Sequence, residues 1–114
     1  MVVLGPSPEY RDPLPLLLAY GTTRGPQYVR ANEQNRGIAI AQARMGAMLA
    51  GTAAHYMTVL DIVCPNGVCR STTPEDEPML RDDDHLSTSG ARYVAAELRR
   101  RGLFADLLAT VPKK

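Results

Sequence analysis

The first half of the chain alternates between short apolar runs and stretches rich in proline and glycine. Val2–Leu4 is an apolar run that enters a proline-rich loop, and it predicts a short buried strand. Residues 11–28 predict mostly loop, with at most one helical turn over Leu14–Ala19. Residues 28–50 predict a helix that Gly51 ends. The broad apolar face of this helix is predicted to contain Val29, Ile38, Met45, Met48 and Leu49.

The second half predicts another strand, a loop and a helix. Met57–Val63 is apolar and β-branched, which is typical of a strand. Ser87 or Ser89 can cap the next helix, Gly102 ends it, and Leu103–Leu108 predicts one more turn. The apolar stripe of this helix is predicted to be Ala91, Val94, Ala95 and Leu98. The order of strand, loop, helix, strand, loop and helix predicts an α/β fold with parallel strands.

Composition and charge narrow the classes of function. A chain of 114 residues with 45% hydrophobic and 22% charged residues is globular and has room for one domain. The net charge of +1 gives no general reason to expect a nucleic-acid partner or a membrane surface. Arg99–Arg101 is interpreted as the solvated end of a helix. The longest apolar stretch, Leu14–Ala19, is too short to span a bilayer and is not predicted to be a signal peptide.

Cys64 and Cys69 flank the sequence Pro-Asn-Gly-Val, which fits a type I turn and can bring the two thiols together. The spacing favours a disulfide only slightly over two reduced thiols. A zinc half-site is a third alternative, but His55 and His85 form no second pair of ligands for it.

The spacing Asp82-x-x-His85 is the most informative candidate for chemistry. A histidine that acts as general base needs one ring nitrogen oriented by an acceptor, and a carboxylate three residues earlier can supply it. The simpler interpretation is a solvated turn before a capped helix. Asp82, Asp83 and Asp84 match no calcium-loop spacing, so metal binding is disfavoured. No Gly-Asp-Ser or Gly-x-Ser-x-Gly occurs, and Ser7 is interpreted as a turn residue.

Three segments together resemble a known family. The sequence VLDIVCPNGVCR over residues 59–70, DDDHLS over 82–87 and the opening VVLGPSPE resemble the C-terminal SGNH domain of bacterial acyltransferase-3-type proteins. These proteins O-acylate cell-surface polysaccharides. The resemblance implies a partial three-layer SGNH-hydrolase (flavodoxin-like) sandwich with a short parallel sheet.

The resemblance also implies a function, a location and site residues. The domain is expected to be periplasmic, with a Cys64–Cys69 disulfide, no cofactor and no metal. Asp82 would orient the imidazole, His85 would deprotonate a serine, and Asp83 and Asp84 would be loop residues. The expected partners are an acylated glycan substrate and a membrane acyltransferase-3 domain in the parent chain, with no nucleic acid.

The family's Gly-Asp-Ser nucleophile block does not occur in this sequence. Residues 1–114 are therefore expected to be the C-terminal portion of an SGNH domain and to be inactive alone. The alternative function is a non-catalytic module that binds glycan or a partner chain.

Overall fold

The computed structural model describes residues 2–53 and 55–102, so the predicted turn at Leu103–Leu108 lies outside the described residues. Two strands, β1 (Val2–Leu4) and β2 (His55–Met57), pair in parallel, with Val2 opposite His55 and Leu4 opposite Met57. The described residues form a mixed helix–strand fold, and these two strands do not by themselves make a three-layer sandwich. In chain order the elements are β1 (Val2–Leu4), α1 (Leu14–Arg24), α2 (Pro26–Ala31), α3 (Arg36–Leu49), β2 (His55–Met57), α4 (Val59–Val63), a 3₁₀ turn (Pro65–Gly67) and α5 (Thr88–Arg100).

Helix α1 occupies the region that the sequence predicts to be mostly loop, so that prediction is wrong. Pro13 stands at its N-cap and Pro15 lies in the first turn, where the backbone N–H groups have no partner within the helix. Leu14 and Leu17 are fully buried, which gives the helix a packing reason to form. Pro13 and Pro15, which the sequence analysis treats as signals of a loop, therefore lie at the start of a helix.

The predicted single helix over residues 28–50 is divided into α2 and α3. The side-chain amide of Asn32 donates to the Tyr28 carbonyl at 2.8 Å, and this bond competes with continuation of the helix. Val29 is buried in α2, whereas Met45 and Met48 on α3 are 42% and 75% exposed. The predicted continuous apolar face is therefore wrong.

The prediction of a strand over Met57–Val63 is correct only at its first residue. Thr58 is extended, and its hydroxyl donates to Asp61 Oδ2 at 2.6 Å, which favours a helical turn after it. The four apolar residues of α4 are all buried. A continuous apolar run is compatible with a buried strand or a buried helix, and burial on several sides here produces the helix.

Helix α5 is capped as predicted, because Ser87 Oγ accepts the backbone N–H of Gly90 at 2.9 Å. Val94 and Leu98 are buried, as the predicted stripe requires, but Ala91 and Ala95 are exposed. The buried face is therefore rotated toward Gly90. After the helix Gly102 has φ +90°.

One core joins the two halves of the chain. It brings α1 and α4 together with the loop before α5, and it lies beneath the segment that contains the Asp-His pair. Its buried apolar members are Tyr10, Leu14, Leu17, Val29, Val59, Leu60, Ile62, Val63, Cys64, Met79, Leu80, Val94 and Leu98.

Candidate catalytic Asp-His site

The Asp-His pair lies in a tight loop between two anchored residues. Leu80 and Leu86 form an isolated antiparallel bridge, and the Arg81 N–H donates to the His85 carbonyl at 2.9 Å. Leu80 is fully buried and α5 begins directly after the loop. The loop is therefore anchored to the core at one end and to a capped helix at the other.

Asp82 organises this loop with both of its carboxylate oxygens. Oδ1 accepts the backbone N–H groups of Asp84 at 3.0 Å and of His85 at 2.7 Å. Oδ2 lies 2.9 Å from Nδ1 of His85. The backbone hydrogen bond from Asp84 is the largest cause that lowers the pKa of Asp82 to about 2, with further contributions from the backbone and ring of His85. Asp82 is therefore ionised at neutral pH.

The contact with Asp82 selects the tautomer of His85. An ionised carboxylate only accepts hydrogen bonds, so Nδ1 carries the proton and the neutral ring keeps its lone pair on Nε2. The His85 side chain is 60% exposed, so a reactant can approach it. A histidine held in this way can take a proton through Nε2, which is the action of a general base.

Asp84 also approaches the ring, which the sequence interpretation missed. Its Oδ1 lies 2.8 Å from His85 Nδ1, and the Arg81 guanidinium lies 3.9 Å from Asp82 Oδ2. The family resemblance implies that Asp84 is a loop residue, because the Asp-x-x-His pattern takes Asp82 as the orienting acid. The backbone bonds to Asp82 fold the loop so that both carboxylates face one nitrogen. Two carboxylate oxygens therefore lie within hydrogen-bonding distance of Nδ1.

The same three side chains, Asp82, Asp84 and His85, have potential ligand atoms within 4.8 Å of one another. The Nδ1 atom of His85 in this group is also the hydrogen-bond partner of Asp82.

Ser7 does not present its hydroxyl to His85. Its Oγ donates to the backbone carbonyl of Asp84 at 2.8 Å. Within residues 2–53 and 55–102, no serine or threonine hydroxyl is hydrogen-bonded to the His85 ring. The described part of the chain thus contains an oriented base without a nucleophile paired to it.

Cys64 and Cys69 form a disulfide, so the alternatives of free thiols and of a zinc half-site are wrong for this structure. The Gly67 N–H donates to the Cys64 carbonyl at 3.1 Å, which closes the predicted turn. Asn66 has φ +56°, so the turn is not type I, and asparagine is one of the residues that tolerate this conformation. The Asn35 side-chain amide donates to Cys69 Sγ at 3.1 Å and connects the disulfide to the start of α3.

An exposed histidine oriented by a carboxylate in a loop that leads into a helix is the arrangement that the base and the orienting acid of a Ser-His-Asp site require. Such sites occur in hydrolases and acyltransferases that pass an acyl group through a serine.

In the described segments, no helix combines the length and the apolar character needed to cross a bilayer.

Comparison with known families agrees with this class. Residues 1–100 match the family model described as SGNH domain (fused to AT3 domains), and the chain belongs to this family. Membership implies the SGNH-hydrolase fold and relates the chain to SGNH-type acyltransferases and esterases. No curated protein and no solved structure matches the chain.

Proposed function

We propose that this chain supplies the base and the orienting acid of an SGNH-type acyltransferase or esterase that acts on O-acyl groups of cell-surface polysaccharides. The observation that carries the proposal is the Asp82–His85 pair, with its 2.9 Å contact at Nδ1. Family membership supports the reaction class, because residues 1–100 match an SGNH domain of the kind fused to AT3 domains. In this proposal residues 1–114 are the C-terminal portion of an SGNH domain, a partial three-layer sandwich whose sheet includes β1 and β2.

The proposed reaction has two halves, with His85 acting in each. In the first, Nε2 takes the proton of a serine hydroxyl while the serine oxygen forms a bond to the acyl carbon. The bond from that carbon to the donor oxygen then breaks, and His85 returns the proton to the leaving alcohol. In the second, Nε2 takes a proton from a sugar hydroxyl or from water, whose oxygen displaces the serine. The serine oxygen recovers the proton, so His85 ends as it began.

Asp82 serves both halves by stabilising the imidazolium that forms each time. It remains ionised because its backbone hydrogen bonds lower its pKa to about 2. The nucleophilic serine is proposed to lie in a Gly-Asp-Ser block outside these 114 residues, since that sequence does not occur among them. The chain alone is then proposed to be inactive.

The proposed location is the periplasm, and the proposed partner is a membrane AT3 domain in the parent protein. The Cys64–Cys69 disulfide supports this location, because disulfides persist in oxidising compartments and are rare in the cytosol. The AT3 domain would deliver the acyl group, and the polysaccharide would accept it.

The test uses the parent protein that contains both this chain and a Gly-Asp-Ser block. Release of acetate from p-nitrophenyl acetate and acetylation of the polysaccharide are measured for the parent and for its His85→Ala variant. We expect a loss of about 100-fold or more in kcat, the usual contribution of general acid–base catalysis. An unchanged kcat in the His85→Ala variant would overturn the proposal.

The second candidate is a non-catalytic module that binds glycan or a partner chain. It is favoured by one observation, that no hydroxyl in the described residues is hydrogen-bonded to the His85 ring. Measurements of activity and of glycan binding in the parent protein distinguish the two candidate functions. Activity that disappears with His85 favours the enzyme, whereas unchanged activity together with weakened glycan binding favours the module.

A further inference from the structure

Three consecutive carbonyl groups of the catalytic loop are held by one distant segment. The Leu14 N–H donates to the Asp82 carbonyl at 3.0 Å and the Tyr10 N–H to the Asp83 carbonyl at 2.9 Å. The Ser7 hydroxyl donates to the Asp84 carbonyl at 2.8 Å, across 77 residues of sequence. Segment 7–14 therefore lies along the loop and fixes the backbone from which the two carboxylates and the imidazole project.

Segment 7–14 is itself rigidly held on its other side. The Glu9 N–H donates to Asn35 Oδ1 at 2.8 Å, and the Glu9 carbonyl accepts the Gln34 N–H at 2.8 Å. Tyr10 is 1% exposed, and its bridge to Glu33 adds a further connection. The support is thus anchored both in the core and on the residues that precede α3.

Ser7 occupies a special place in this support. It stands between Pro6 and Pro8, whose rings fix two backbone angles, and Pro8 is fully buried. Its hydroxyl therefore approaches the loop from a stiff backbone. The other two bonds to the loop come from backbone N–H groups, so Ser7 provides the one contact of the three that a side chain makes.

We propose that Ser7 is a positioning residue, which holds the carbonyl of Asp84 and thereby keeps His85 oriented with its proton on Nδ1. The inference rests on the proposed function, since the orientation matters for a histidine that acts as base. The Ser7 bond fixes the Asp84 backbone whose N–H is donated to Asp82 Oδ1, and the next N–H along the chain is that of His85. Loss of the Ser7 hydroxyl therefore loosens the Asp82–His85 contact without removing any group that forms it.

The experiment compares the 114-residue chain with its Ser7→Ala, Ser7→Thr and Thr23→Ala variants by NMR. Thr23 is the matched control, because its hydroxyl also donates to a carbonyl, that of Tyr20, but within its own helix. Two signals are measured without any substrate. They are the exchange rate of the His85 amide hydrogen and the ¹⁵N shifts of the His85 ring, which report the tautomer.

In Ser7→Ala we expect the His85 amide to exchange roughly three- to tenfold faster, the effect of one lost hydrogen bond, and the Nδ1–H tautomer to decrease. Ser7→Thr retains the hydroxyl and is expected to restore both signals, while Thr23→Ala leaves them unchanged. The amides of α5 report the fold. If Ser7→Ala leaves the His85 signals unchanged, or if the α5 amides lose protection equally, the positioning role is wrong.

These readouts are independent of catalysis. If the His85 signals change as expected but the parent protein keeps its activity in His85→Ala, the positioning inference stands and the proposed function fails. If the signals do not change, the inference fails whatever the assay shows.

Discussion

Asp82 contacts His85 at two points, the backbone N–H through Oδ1 at 2.7 Å and ring nitrogen Nδ1 through Oδ2 at 2.9 Å. The backbone contact fixes the distance between the two residues, so the ring contact forms with little further loss of freedom. A spacing of three residues allows one carboxylate to make both contacts. The pair is therefore oriented before any substrate arrives, which is the condition for efficient proton transfer.

The first prediction concerns the titration of Asp82. Because its folded-state pKa is lowered to about 2 from the ordinary value near 3.8, its hydrogen bonds stabilise the fold at all pH values above the ordinary pKa. This contribution is expected to disappear as the pH falls from about 4 through about 2. An NMR titration of the Asp82 side-chain carboxyl carbon should show a midpoint near pH 2.

His85→Ala provides the control for this titration. The variant keeps the hydrogen bonds that Asp82 accepts from the backbone N–H groups of residues 84 and 85. The bond from Asp84 is the leading cause of the low pKa of Asp82. Its Asp82 midpoint should therefore rise only slightly. A midpoint near pH 4 in the unaltered chain would show that the turn at Asp82 does not form in solution.

Local features were the ones that the sequence could predict. Asp82 and His85 are three residues apart, and Cys64 and Cys69 are separated by a short turn, so chain geometry alone brings each pair close. The cap at Ser87 is equally local. In such cases the residue types and their spacing contain most of the information.

Features that depend on distant contacts could not be predicted. The apolar run at Val59–Val63 is helical because its surroundings bury several of its sides, and the run itself does not contain that information. The contact between Ser7 and Asp84 joins two residues that are 77 positions apart in the sequence. Asp84 reaches His85 because the Asp82 hydrogen bonds fold the loop. Each depends on the tertiary arrangement.

The second prediction concerns the disulfide. Closing the short loop between Cys64 and Cys69 is expected to stabilise the fold by about 2 kcal/mol, through restriction of the unfolded chain. Urea unfolding with and without reductant should show this difference in the free energy of unfolding. A Cys64→Ser/Cys69→Ser variant should match the reduced chain and should not respond to reductant. Equal midpoints for the oxidised and reduced chains would contradict the prediction.

The third prediction uses two glycines in helices. A Cβ placed on Gly90 would overlap the backbone carbonyl of Met79, whereas one on Gly37 would meet nothing within 4 Å. Alanine is favoured over glycine inside a helix by about 1 kcal/mol. Gly37→Ala is therefore expected to raise the melting temperature, and Gly90→Ala to lower it despite the same gain in propensity. Circular dichroism melts provide the comparison, and a rise in melting temperature for Gly90→Ala would mean that α5 does not pack on Met79.

The fourth prediction separates the three consecutive aspartates. In a parent protein that contains a Gly-Asp-Ser block, and under the proposed function, Asp82→Ala should lower kcat by about 10²- to 10⁴-fold, since it removes both contacts with His85. Asp84→Ala should lower kcat only about two- to fivefold. Its carboxylate is 48% exposed, so solvent weakens its electrostatic interaction with Nδ1.

Asp83→Ala is the matched control, because Asp83 interacts with segment 7–14 through its backbone carbonyl, which alanine retains. Its kcat and KM should stay unchanged. The expected loss in kcat is thus largest for Asp82, small for Asp84 and absent for Asp83. The family resemblance, in contrast, makes both Asp83 and Asp84 loop residues. Equal kcat values for the Asp83 and Asp84 variants would mean that the approach of Asp84 to the imidazole contributes nothing to the reaction. A larger loss for Asp83 than for Asp82 would mean that the orienting carboxylate has been wrongly assigned.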